Sequence, residues 1–154
     1  MNTKIIAAFP GTGKSYIKNN VTFLKTSDSD STSFSWLIKN GEKVRDPRFP
    51  KNYIRYIKDL YYKNVMDYIF VSTHKEVIQE LIDNNLEFVV AYPKRSDKEL
   101  YLKRYKERGS DSKFIELLDN MFDSFIDDIE DKVPEENRIE LNHNEYLSNV
   151  LEKI

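Results

Sequence analysis

The chain has 154 residues, enough for one domain with a real core and too few for two. Hydrophobic residues make up 40% and charged residues 32%, the balance of a soluble globular protein and not of a disordered one. The net charge of −2 supplies no global basic field for nucleic acid, although a local patch could recruit it, and the absence of cysteine excludes disulfides and thiolate metal sites. No apolar run reaches membrane-spanning length, and the apolar start, broken by Pro10 and Gly11, reads as a strand and not as a secretion signal. The expectation is a cytoplasmic protein, monomeric or homodimeric, with no membrane attachment.

Ile5-Ile6-Ala7-Ala8 is a run of strand type, and Tyr16 to Asn20 can continue as a helix. Between them stands Ala8-Phe9-Pro10-Gly11-Thr12-Gly13-Lys14-Ser15. Strand, glycine loop, Lys-Ser and helix together form the context of a phosphate-binding loop. Pro10, Gly11, Thr12, Gly13, Lys14 and Ser15 are therefore the expected ATP contacts. Gly11 and Gly13 allow successive N–H groups to turn toward phosphate oxygens, and the helix start adds donors. Lys14 is placed to reach the terminal phosphates, and the Ser15 hydroxyl to hold Mg²⁺. The eight-residue pattern asks for glycine first, where this chain has Ala8; that costs backbone freedom and removes no donor.

Val21-Thr22-Phe23-Leu24 reads as a second strand, followed by a polar loop. Phe34, Trp36, Leu37 and Ile38 come at helix-like density, with Asn40-Gly41 as a helix stop. Pro50 is placed to open a helix whose inner face carries Tyr53, Ile54, Ile57, Leu60 and Tyr61. Tyr68 to Ser72 is a buried-type strand, and Thr73 to Glu76 has capping-box spacing before a helix. Phe88 to Tyr92 is another strand, stopped by Pro93, and a basic helix follows Ser96-Asp97-Lys98-Glu99 and ends near Gly109. Phe114 to Ile129 forms a long amphipathic helix, Arg138 to Leu141 a last strand, and Asn142 with Glu145 caps a final helix. Alternating strands and helices predict a parallel sheet covered on both faces, with ligands at the carboxyl ends of the strands.

Candidate chemistry follows the strands. An acid is expected after the strand ending at Val71, where Ser72-Thr73-His74 stands instead. Asp28-Ser29-Asp30 can supply the carboxylates: Asp28 for Mg²⁺ or as a base, Asp30 for the acceptor. The plainer alternative is a turn that caps the next helix. Arg45 and Arg48 sit in a proline-containing loop and suit an anionic acceptor, or else make surface ion pairs. Trp36 can stack a base or lie in the core. Arg95, Arg104 and Arg108 belong to a basic cluster that can place positive charge over a transferred group, Arg95 also toward the acceptor; the alternative is a solvated face. His74 reads as structural, and His143 carries no assignment.

Phe9-Pro10-Gly11-Thr12-Gly13-Lys14-Ser15 is similar to the adenylate-kinase form of the loop. Asp28-Ser29-Asp30 resembles the Asp-x-Asp that shikimate- and gluconate-type kinases carry after strand two. Tyr92-Pro93, with Arg104 and Arg108-Gly109, resembles the lid region of deoxynucleotide and nucleoside kinases. Over most of its length the chain resembles the P-loop nucleotide and small-molecule kinases, which phages often encode. The resemblance implies an α/β three-layer P-loop NTPase fold with a five-stranded parallel sheet in the order 2-3-1-4-5. It implies one domain over 1–154, an acceptor-binding insertion at about 30–66 and a lid-like basic segment at about 93–112. The expected activity is an ATP- and Mg²⁺-dependent phosphotransfer to a small acceptor, first of all a nucleoside monophosphate. Lys14, Asp28, Arg104 and Arg108 are the expected catalytic set. Asp30, Trp36, Arg45, Arg48 and Arg95 are the acceptor set, and Ser15 and Asp28 the metal set. The rivals are a kinase of a polynucleotide end or modified base, and a nucleotide-binding regulatory protein with little turnover.

Overall fold

The strand β1 (Lys4–Ala8) is buried on both faces, and the rest of the sheet is built outward from it. The computed structural model describes residues 2–21, 24–28 and 32–154, without the side chains of Asp28, Thr32 and Ser33. Around β1 stand β2 (Thr26–Asp28), β5 (Tyr68–Val71), β6 (Phe88–Pro93) and β7 (Arg138–Leu141), all parallel, in the order β2-β5-β1-β6-β7. The remaining strands, β3 (Trp36–Lys39) and β4 (Glu42–Arg45), pair antiparallel as a separate hairpin.

Side-chain alternation along β1 divides the core into two layers. Ile5 and Ala7 face α3 (Lys51–Lys63), α4 (Lys75–Asp83), α5 (Lys98–Glu107) and α6 (Ser112–Lys132). Ile6 and Ala8 face the opposite side, where Ile17 of α1 (Lys14–Asn20) and Leu147 of α7 (Leu147–Val150) cover them. Each fully buried isoleucine contributes about 2 kcal/mol by removing its surface from water. Among the described residues no helix is long and apolar enough to cross a membrane.

Two sequence expectations about the sheet change, and α7 is capped by Tyr146 and Asn149 and not by Asn142 and Glu145. The second strand is Thr26–Asp28 and not Val21–Leu24. Val21 and Leu24 pack against the α1 side of the core, Thr22 and Phe23 lie outside the described residues, and the polar Thr-Ser-Asp triplet makes the sheet edge. Polar residues suit an edge strand. The expected helix around Trp36 is a four-residue α2 (Thr32–Ser35) followed by the β3–β4 hairpin. Asn40 and Gly41, with φ of 52° and 78°, form its two-residue turn in the left-handed region that Asn-Gly tolerates. These two strands fall between β2 and β5 in the chain but outside the sheet, so the sheet order is β2-β5-β1-β6-β7 where 2-3-1-4-5 was expected.

The parallel arrangement brings the loops after β1, β5, β6 and β7 to one edge. Under the loop after β1, α5 inserts Tyr101 and Tyr105, both buried. Burial pushes the Tyr101 hydroxyl up to about 12 and raises Tyr105 as well. Both groups thus hold their protons above pH ~10, where the unfolded chain releases them. Stability from this source is complete below that pH and falls as pH rises toward the folded values, by up to ~3 kcal/mol per pH unit for the pair. Urea titrations between about pH 9 and about pH 11 should show this fall in the wild type and a flatter one in Tyr101→Phe and Tyr105→Phe. Parallel slopes in all three proteins would contradict it.

Candidate functional site

The glycine loop is held from outside by its carbonyls. Tyr105 Oη donates to Pro10 O at 2.8 Å, Arg104 Nη1 to Gly11 O at 2.9 Å, and the Leu147 amide to Thr12 O at 2.9 Å. A trans peptide points its N–H opposite to its C=O. The N–H groups of Gly11, Thr12 and Gly13 therefore point away from these three donors. That of Thr12 closes a turn on Phe9 O at 3.3 Å, reinforced by the Thr12 hydroxyl at 2.7 Å. Its end residues, Phe9 and Thr12, are fully buried.

Aromatic rings close on both glycines. At Gly11 (φ 86°) a Cβ would lie 2.9 Å from Tyr105 Cε1, and at Gly13 (φ 97°) one would lie 3.1 Å from Tyr146 Cδ1. Glycine is thus demanded twice at each position, by the left-handed backbone and by the space. The Arg104 guanidinium sits 4.5 Å from the Tyr101 ring centre and 4.0 Å from that of Tyr146. A cation between two ring faces can be held without a carboxylate, and among the described residues none pairs with Arg104. The loop that carries Tyr146 is itself tied to the start of α5, where His143 Nδ1 and the buried Asp97 Oδ1 are 2.7 Å apart.

Beside this loop lies an open cavity of about 720 Å³, lined among others by Gly13, Lys14, Ser15, Ser72, Arg104 and Arg108. Arg108 donates from Nε to Ser110 Oγ at 2.8 Å, and its guanidinium lies 5.0 Å from the Tyr105 ring. Ser72 Oγ, where an acid was expected, is buried with no hydrogen-bond partner among the described residues. Glu107 also borders the cavity. Among the described residues no three acidic or histidine side chains form a metal cage. Ser15 is an exposed, hard oxygen donor on the cavity wall, the kind of ligand Mg²⁺ takes together with phosphate oxygens. Asp28 ends β2, with its Cα opposite Phe70 at the same edge of the sheet, and Asp30 lies outside the described residues.

The structure separates the arginines expected at the acceptor. Arg48 closes a fork on the buried Asp46, with Nε to Oδ1 at 3.0 Å and Nη2 to Oδ2 at 2.9 Å, and holds that carboxyl below the usual carboxylate range. Arg95 turns to α6, where it pairs with Asp127 at 2.6 Å and with Glu130. Both are occupied as fold contacts. Arg45 instead lies on the hairpin, 5.4 Å from the Trp36 ring, and reaches Glu76 of α4 at 3.6 Å. Glu76 follows by two residues His74, which borders the cavity.

No family model and no curated protein sequence matches the chain. The fold is similar to that of the Deinococcus radiodurans tunicamycin resistance protein, with a TM-score of 0.62 over 99% of this chain and 92% of that one, at 10% sequence identity. At that identity the likeness shows the fold alone.

The sequence reading did not reach Tyr101, Tyr105 and Tyr146 as supports of the loop. Its one available signal was the i, i+4 spacing of Tyr101 and Tyr105 on a basic helix, polar-tipped rings suited to a half-polar wall. Gly13→Ala should cost more than ~1 kcal/mol, combining left-handed strain with crowding against Tyr146. In a Tyr146→Ala background the crowding part disappears and the cost should shrink. Equal costs in both backgrounds, measured as a double-mutant cycle by urea unfolding, would mean that Tyr146 does not pack on the loop.

Proposed function

We propose that the chain is an ATP- and Mg²⁺-dependent phosphotransferase with a P-loop fold, acting on a nucleotide acceptor and first of all on a nucleoside monophosphate. The observation that carries this reading is the loop itself. Its carbonyls are bonded from behind, and a Gly-x-Gly-Lys-Ser run borders a cavity that also receives Arg104 and Arg108. An N–H-lined loop beside two guanidiniums is chemistry for a polyphosphate.

In this reading Lys14 and the loop amides hold the β- and γ-phosphates, and Ser15 holds Mg²⁺ with Asp28 in support. The metal supplies charge neutralisation on the phosphate oxygens. An acceptor oxygen attacks the γ-phosphorus, the bond from that phosphorus to the β,γ-bridging oxygen breaks, and the leaving charge stays on ADP. Arg104 and Arg108 offset the charge that spreads over the transferred group. A monophosphate oxygen is already ionised and needs no base for the attack, which agrees with Ser72 at the place of an acid. An aromatic and an arginine, Trp36 and Arg45, stand together on the insertion to receive base and phosphate.

Ser72 also favours a second reading, a nucleotide-binding regulator with little turnover. The two readings part on ADP release. Lys14→Ala should keep native circular dichroism and lose ATP·Mg²⁺ binding in calorimetry; undiminished binding would end the P-loop reading. ADP release should rise with an added nucleoside monophosphate and less with the nucleoside. Arg45→Ala should lose roughly 2 kcal/mol of kcat/KM for the monophosphate, the scale of a charge-assisted hydrogen bond, and Arg48→Ala much less. ATP binding without acceptor-dependent release would favour the regulator.

A further inference from the structure

The β3–β4 hairpin has two unlike faces. Leu37 and Val44, paired across the strands, are half-buried toward the protein. Trp36 pairs with Arg45, and Ile38 with Lys43, so these four side chains share the other face. That face is open: Ile38 is 72% exposed and Trp36 38%. Lys43 Nζ lies 4.9 Å from the Trp36 ring centre and the Arg45 guanidinium 5.4 Å. The ring is thus exposed and bracketed by two cations.

Charge is concentrated here too. The hairpin, residues 36–45, carries Lys39, Lys43 and Arg45 against Glu42, and the loop and helix that follow it to residue 58 add four basic side chains and one acid, a net +5 over 36–58 within a chain of net −2. One of the two acids, Asp46, is buried and already paired with Arg48. The basic stretch therefore presents an excess of positive charge outward, although Lys51 is paired with Glu80 and Arg45 reaches Glu76 at 3.6 Å. The Arg45–Glu76 pair fastens the hairpin to the start of α4, beside the His74 wall of the cavity.

We infer that this face binds single-stranded nucleic acid and leads its end toward the cavity. Trp36 and Arg45 alone would suit the base and phosphate of one nucleotide. Ile38 and Lys43 continue the same alternation of apolar surface and cation one step along the hairpin, and Lys39 follows at the turn. A repeating base–phosphate ligand matches a repeating apolar–cationic face, since bases stack on side chains and cations follow the backbone. A double helix presents its bases edge-on and offers no faces to such a platform. The inference deepens the phosphotransferase reading by naming the acceptor as the terminal phosphomonoester of a strand, and it rests on that reading for the strand's role but not for its binding.

The test is fluorescence anisotropy of a labelled oligo(dT) of about 12 nucleotides, without ATP, over a range of salt. The wild type should bind with an affinity that falls as salt rises. Trp36→Ala should weaken binding ~10-fold or more, and Trp36→Phe should restore most of the loss. Lys43→Gln with Arg45→Gln should lower the slope of log K against log salt by about 1.4, at about 0.7 per phosphate contact. These positions are exposed, and circular dichroism identifies any variant that has lost its fold; the Gln pair then carries the test in place of Trp36→Ala. Absence of binding by the wild type would overturn the proposal, as would binding unaffected by both sets of changes. Preference for phosphatidylserine vesicles over the oligonucleotide, lost in the same variants, would overturn it in favour of a membrane surface. Each of these leaves the Lys14→Ala result, and with it the phosphotransferase reading, untouched.

Discussion

The fold at the site depends on one constraint, the fixing of three successive carbonyls behind the glycine loop. Pro10, Gly11 and Thr12 each give their oxygen to a different donor: a tyrosine hydroxyl, a guanidinium and a backbone amide. Each donor belongs to an element far along the chain, α5 for the first two and the start of α7 for the third. Oriented N–H groups repel one another electrostatically unless an anion neutralises them, so the loop would relax without this backing. The backing in turn requires α5 to lie against the sheet, which Tyr101, Leu102 and Tyr105 accomplish by burial beside Phe9 and Phe122.

The same economy governs the cations. Arg48 and Arg95 meet carboxylates and are absorbed into the fold, one pinning the loop that enters α3 and the other joining the segment after β6 to α6. Arg104 is held by rings and a carbonyl, and among the described residues no carboxylate pairs with it. Charge kept in place without neutralisation is the condition for acting on an anion. The distinction between structural and available arginines therefore lies in the partner, not in the residue type or its neighbours in sequence.

That is also the boundary of what the sequence disclosed. The glycine loop, the strand–helix alternation and β7 were legible because each rests on local pattern. The hairpin was missed because Trp36-Leu37-Ile38 is a continuous apolar run, in which helix and strand look alike, although Asn40-Gly41 carried the correct turn signal. The edge strand was displaced because Val21 and Leu24, the apolar residues nearby, serve the core beneath α1. The partners of Arg95 lie more than thirty residues away on α6, and that of Pro10 lies 95 residues away. Contacts of such separation have no signature in a single sequence.

The central claim is that the backed loop presents its amides to a polyphosphate. Amide hydrogen exchange of residues 11–15 with and without saturating ATP·Mg²⁺ tests it most directly. The account predicts that exchange slows at residues 11 and 13–15 when ATP is added, because phosphate oxygens become their acceptors, while Thr12, whose N–H is already bonded to Phe9 O, changes little. Saturation with ATP while exchange at residues 11–15 stays unchanged would contradict it.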